Sequence, residues 1–142
     1  MIFEEGLENI YERHRVLAEA THAAVEVWSQ AGTLSLNAIE PKERSTAVTT
    51  ILTDEGVDAN MIRDVCRDEM MVGLGGGLGN LAGRAFRVGH MGDMNAPMLF
   101  AALASIEATF RYLDIKFAPG GVTAAIEHVA QSKKVGTGPF SY

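Results

Sequence analysis

Eight of the 15 glycines in this chain fall within one stretch, from Gly73 to Gly92. Glycine weakens helices and strand interiors, so no long regular element can run through that stretch. Inside it, Ala85-Phe86-Arg87-Val88-Gly89 still alternates as a strand does. The stretch therefore reads as a hairpin. Its glycines allow positive φ and close approach of one backbone to another.

The flanks have clear helical periods. Leu7, Ile10, Tyr11, His14, Leu17, Ala18, Thr21, Ala24, Val25 and Trp28 recur at three- and four-residue steps. Glu5, Glu8, Glu12, Arg13, Arg15, Glu19 and Glu26 mostly take the other side. Gly32 suits a left-handed C-cap. A helix from Glu5 to Ala31 would be roughly 40 Å long, enough to lean on something outside this chain. Leu34 to Arg44 reads as loop and Thr46 to Leu52 as a strand. Asp58 caps a short helix with Met61, Ile62, Val65, Cys66 and Met70 inward. Met71 to Leu74 reads as a second strand and Ala85 to Gly89 as a third. Asp93 or Asn95 caps the next helix, with Pro97 in its first turn. Its apolar face is Met98, Leu99, Ala102, Leu103, Ile106, Phe110 and Leu113. Pro119-Gly120-Gly121 breaks it, and Val122, Ala125, Ile126, Val129 and Ala130 mark a last helix.

The expected fold class is α+β: a small, mostly antiparallel three-stranded sheet with helices on one face. One domain fits 142 residues. It divides into a long helix over 1–32, a βαββαα core over 45–131, and a tail over 132–142 with little to bury.

The net charge of −6 argues against a nucleic-acid partner, which needs a basic face. The longest apolar stretch, Ala96 to Ile106, is too short to cross a membrane. The N-terminus, Met1-Ile2-Phe3-Glu4-Glu5, lacks the features of a signal peptide. Cys66 stands alone, so no internal disulfide forms and a reducing, cytoplasmic setting is expected.

Gly77-Leu78-Gly79-Asn80-Leu81-Ala82 fits a relaxed dinucleotide pattern. That pattern works only when a helix N-terminus follows to hold the pyrophosphate. Here Gly83 and the strand from Ala85 follow, and no acidic strand end lies about 20 residues on. His90 and Asp93 are two potential metal ligands without a third, and no metal is expected. His14 reads as a hydrogen-bonded, half-buried histidine and Cys66 as a small core residue. Arg87 stands out. Its neighbours on the same strand face, Ala85 and Gly89, are small, while Phe86 and Val88 point to the core. Such a guanidinium can offer its planar fork to a carboxylate. On residue type alone, an arginine on the wet face of a sheet is the commoner reading.

The segment Gly75 to Asn95, and above all Phe86-Arg87-Val88-Gly89-His90-Met91-Gly92-Asp93-Met94-Asn95, resembles the C-terminal domain of class V (fold type I) aminotransferases. The serine–glyoxylate and alanine–glyoxylate group is the nearest match. Tyr11-Glu12-Arg13-His14-Arg15 resembles that family's helix between large and small domains, and Pro119-Gly120-Gly121-Val122 its C-terminal region. In that family the large domain binds pyridoxal phosphate through a Schiff-base lysine and an aspartate at the pyridinium nitrogen. The four lysines here, Lys42, Lys116, Lys133 and Lys134, stand in no such context. The resemblance implies no cofactor residue in this chain and one substrate-binding residue, Arg87, which clamps the α-carboxylate of a small amino acid or 2-oxo acid. It thereby favours the functional reading of Arg87.

The implied function is PLP-dependent transamination of the serine/alanine–glyoxylate or serine–pyruvate type, with this chain inactive alone. Three forms are open: a truncated or partial reading frame, a small subunit acting in trans with a PLP-binding chain, or a stand-alone amino-acid or 2-oxo-acid binding module. Met1 lies just upstream of the long helix, which favours the first. A bare helix and sheet face would drive self-association, with a dimer the expected form.

Overall fold

The computed structural model describes residues 2–135. Residues 136–142, most of the expected tail, lie outside the described residues.

The long helix forms in two pieces. A single turn, α1 (Ile2–Glu5), ends at Gly6, whose φ of 82° breaks the helix, and α2 runs from Leu7 to Trp28. A 3₁₀ turn, Ser29–Ala31, follows and stops at Gly32, which takes the expected left-handed conformation. Val16, Leu17, Ala20, Ala24, Val25 and Trp28 are fully buried. Leu7 and Tyr11, read as inward, are exposed, and Arg13, read as outward, is buried.

The sheet has four strands rather than three. These are β1 (Leu34–Leu36), β2 (Val48–Thr53), β3 (Gly75–Gly76) and β4 (Ala85–Gly89), all antiparallel in the order β1-β2-β4-β3. β1 lies in what reads as loop. Three residues are too few to reveal a period, and Leu34 pairs with Thr53 from the sheet edge. The expected strand at Met71 to Leu74 is irregular, with Met71 at a φ of 59°. Its half-buried Val72 and Leu74 pack against the core instead, and pairing begins only at Gly75, opposite Arg87.

Between β2 and β3 lies α3 (Ala59–Asp68). Asp58 caps it by accepting from the Asn60 amide. Ile62 and Cys66 are buried, whereas Met61 faces solvent. α4 (Ala96–Tyr112) is capped by Asn95, which accepts from the Met98 amide. Leu99, Leu103, Ile106 and Phe110 are buried; Met98 is exposed. α5 runs from Gly121 to Val135 and packs along α2. Ala125 and Val129 are buried, while Ile126 and Ala130 face outward.

Trp28 locks these layers. Its indole Nε1 donates 2.8 Å to Glu107 Oε1, which also accepts from the Val122 amide at 3.2 Å. Its ring meets Phe110 edge-on at 5.4 Å. Edge-to-face aromatic contacts of this kind are worth about 1 kcal/mol beyond area burial. Among the described residues no helix is long and apolar enough to cross a membrane.

Candidate functional site

Arg87 sits mid-strand in β4, with Thr50 of β2 opposite on one side and Gly75 of β3 on the other. Phe86 and Val88 are buried, so Arg87 occupies the other face. Its side chain crosses Gly75. A β-carbon there would come 3.2 Å from Arg87 Cβ and 3.3 Å from Nε. Nε then donates 2.7 Å to the carbonyl of Gly76. The Gly77 amide donates to the Ala85 carbonyl, which makes Gly76–Phe86 a non-hydrogen-bonded pair. The Gly76 peptide groups therefore face the free edge, and the guanidinium is anchored there. Among the described residues, Nη1 and Nη2 have no hydrogen-bond partner and no carboxylate in ion-pair reach. One tethered nitrogen and two free ones leave the outer side of the fork for a bidentate acceptor. A groove of about 820 Å³ between Thr53–Asp58 and Gly83–Arg84 does not include Arg87.

Gly77 to Ala82 does not build a phosphate cradle. Only a 3₁₀ turn, Gly79–Leu81, follows the first glycines. A β-carbon at Gly77 would lie 2.0 Å from the carbonyl oxygen of Leu81. Glycine is required there because the loop closes on itself.

His90 is fully buried. Its Nδ1 lies 3.2 Å from the Thr46 carbonyl, which can only accept, so Nδ1 carries the proton. Nε2 then accepts from the Thr49 hydroxyl at 2.9 Å. Burial, and then the neighbouring His22, push its pKa down to about 4. Both nitrogens are engaged, and no group of three metal-ligating side chains occurs among the described residues. Cys66 is buried with its thiol pKa raised by desolvation, as suits a core residue.

Sequence reasoning missed Arg13. Its Nη1 donates to the carbonyls of Gly92 at 2.7 Å and Met94 at 2.9 Å. Nε and Nη2 grip Glu5 at 2.7 and 2.9 Å. Beside it, His14 Nε2 accepts from the Gly92 amide at 3.1 Å. The signal was present: Arg13 lies three residues after Ile10 and four before Leu17, on the apolar stripe. These contacts bring the Tyr11–Arg15 block onto the turn that follows Arg87's strand.

No family model matches the chain. A serine–glyoxylate aminotransferase from Methylorubrum extorquens is 42% identical over 132 residues, covering 92% of this chain and 32% of the relative. The chain belongs with the C-terminal domain of the serine/alanine–glyoxylate-type class V aminotransferases. An L-aspartate–glyoxylate aminotransferase from Paracoccus denitrificans is 37% identical over 132 residues, with the same 92% and 32% coverage. The crystal structure of ureidoglycine–glyoxylate aminotransferase from Bacillus subtilis superposes with a TM-score of 0.80 at 27% identity, over 91% of this chain and 33% of that one. The chain thus spans about a third of the length of the curated relatives it matches.

The family depends on pyridoxal phosphate. The described residues do not fit a binding site for it. A Schiff-base lysine must be desolvated or held by neighbours, and Lys42 and Lys116 are both exposed. The side chains of Lys133 and Lys134 lie outside the described residues.

Proposed function

We propose that this chain is the substrate-clamping part of a glyoxylate-type aminotransferase, and that Arg87 holds the α-carboxylate of the amino acid or 2-oxo acid. The observation that carries this reading is a guanidinium tethered through Nε alone, with both Nη groups unpaired on a face of small residues. Internal ion pairs consume the forks of Arg13, Arg15 and Arg67, whereas Arg87 keeps both Nη groups available for an external acid.

Two parallel charged hydrogen bonds would fix the carboxylate and, through it, the Cα–H bond. The coenzyme, when bound, supplies the electron sink. It and its lysine come from a separate domain or chain, and the 142 residues alone are inactive. The amino donor is a small amino acid of the kind named for the relatives, which act with serine, L-aspartate and ureidoglycine.

The test is Arg87→Lys in the enzyme assembled from this chain and its coenzyme-binding part. Lysine keeps the charge and loses the fork. The expected loss in kcat/KM for both donor and glyoxylate is at least about tenfold, one charged hydrogen bond being worth roughly 1.5 kcal/mol. An unchanged kcat/KM excludes the clamp.

A further inference from the structure

β3 is two residues long, lies at the sheet edge and pairs with β4 alone. It has no side chains with which to hold itself in place. Yet its Gly76 carbonyl is the sole anchor of the Arg87 guanidinium among the described residues. The Gly77 amide of the same peptide bonds to Ala85, but an edge pair of this length is marginal by itself and needs a second support.

The opposite face of β3 supplies it. Arg63 projects from α3, and its Nε donates 3.3 Å to the carbonyl of Leu74, just ahead of β3. Its Nη1 is held by Asn60 Oδ1 at 3.1 Å, one turn earlier on the same helix. The guanidinium presses on the spot where a side chain would start at residue 76. A β-carbon on Gly76 would lie 3.1 Å from Arg63 Cζ and Nη1. A β-carbon on Gly75 would meet Arg87 instead. The two glycines thus let two arginines close on one strand from its two faces. Arg63 has no carboxylate partner among the described residues. Its support is secure, because α3 is capped by Asp58 and buries Ile62 and Cys66.

We propose that Arg63 is a positioning residue for Arg87: it holds β3 from the helix side, so that the Gly76 carbonyl presents the Arg87 fork to a carboxylate at one fixed angle. This rests on the clamp proposed above. It also explains the paired glycines, since a side chain at either position would displace one of the two guanidinium groups.

The test uses two readouts. In the ¹⁵N-labelled 142-residue chain, the Arg87 Nε–H signal reports its bond to Gly76 directly. Arg63→Met keeps the aliphatic stem and removes the fork. It should speed exchange of the Arg87 Nε–H with water about fivefold or more, the effect of weakening one hydrogen bond. Asn60→Ala, at an exposed position, frees Arg63 without touching the core and should act in the same direction to a smaller extent. In the assembled enzyme Arg63→Met should raise KM for glyoxylate, while Arg63→Lys recovers little because it cannot span Leu74 and Asn60 together. Unchanged Nε–H exchange in both variants overturns the positioning role, whatever Arg87→Lys does. Faster exchange with an unaffected Arg87→Lys enzyme would leave the positioning intact and remove the clamp.

Discussion

Arg13 on α2 donates 2.7 Å to the carbonyl of Gly92, 79 residues away in sequence. The same guanidinium reaches Met94 and Glu5, so one buried side chain joins α1, α2 and the turn between β4 and α4. Gly92 has a φ of 81°, and its amide donates to His14. Both backbone groups of Gly92 are therefore satisfied by adjacent residues of one helix.

Arg13→Met should cost about 2–4 kcal/mol of folding stability, because it leaves two carbonyls without their charged donor. Urea unfolding at pH 7 measures this as a shift in midpoint with the denaturant slope unchanged. Arg13→Lys should recover under half of the loss, since a single ammonium cannot face Glu5 and both carbonyls at once. A midpoint unchanged in Arg13→Met would mean that α2 and the Gly92 turn are held without it.

Elements with strong local signals are legible in the sequence. Pro97, with Asp93 or Asn95 ahead of it, announces α4, Asp58 announces α3, and the alternation Phe86-Arg87-Val88 sets which side of β4 is buried. What escaped depends on partners distant in sequence. β1 is three residues whose strand character comes from β2. β3 is two glycines, a composition that argues against a strand, paired because Arg87 and Phe86 lie opposite. Residue type places Arg13 outward, although its period places it inward; four acceptors compensate the charge. For the candidate site, the face and small neighbours of Arg87 could be read from the strand period. The Gly76 tether and the Arg63 support behind it could not, because they depend on how α3 and β3 meet in space.

His90 makes stability depend on pH in a defined window. Its folded pKa, about 4, lies below the ordinary histidine value near 6.5. Between these values the unfolded chain binds the extra proton, so stability is full above pH 6.5 and falls as pH drops towards 4. His22, also depressed by burial, adds in the same direction. The loss attributable to His90 is on the order of 3 kcal/mol across the window. The carboxylates with lowered pKa, Glu5, Glu12 and Asp68, contribute only as pH falls below the ordinary carboxylate range. Urea midpoints at pH 7, 6 and 5 should therefore decline in the wild-type chain and decline less steeply in His90→Gln, where only His22 of the pair still contributes. A decline of equal slope in both would assign the effect elsewhere.

Gly121→Ala sets helix propensity against packing. Residue 121 opens α5, and alanine in a helix is favoured over glycine by about 1 kcal/mol. On local preference alone the substitution stabilises. A β-carbon at this position, however, would lie 2.2 Å from Trp28 Nε1 and 2.6 Å from Cδ1. Neither partner can yield freely: the indole is fully buried, packed against Phe110 and tied to Glu107, which also holds the start of α5. Overpacking in such a site costs about 1–3 kcal/mol, which exceeds the propensity gain. The expected net result is destabilisation, with a shift in the fluorescence of Trp28, the only tryptophan in the chain. Pairing Gly121→Ala with Trp28→Phe removes the indole nitrogen from the clash. The double mutant should then lose less stability than the sum of the two single mutants, a coupling read from a double-mutant cycle. Strict additivity would show that the α2–α5 seam relaxes around the methyl group and that the Trp28 contact does not require glycine.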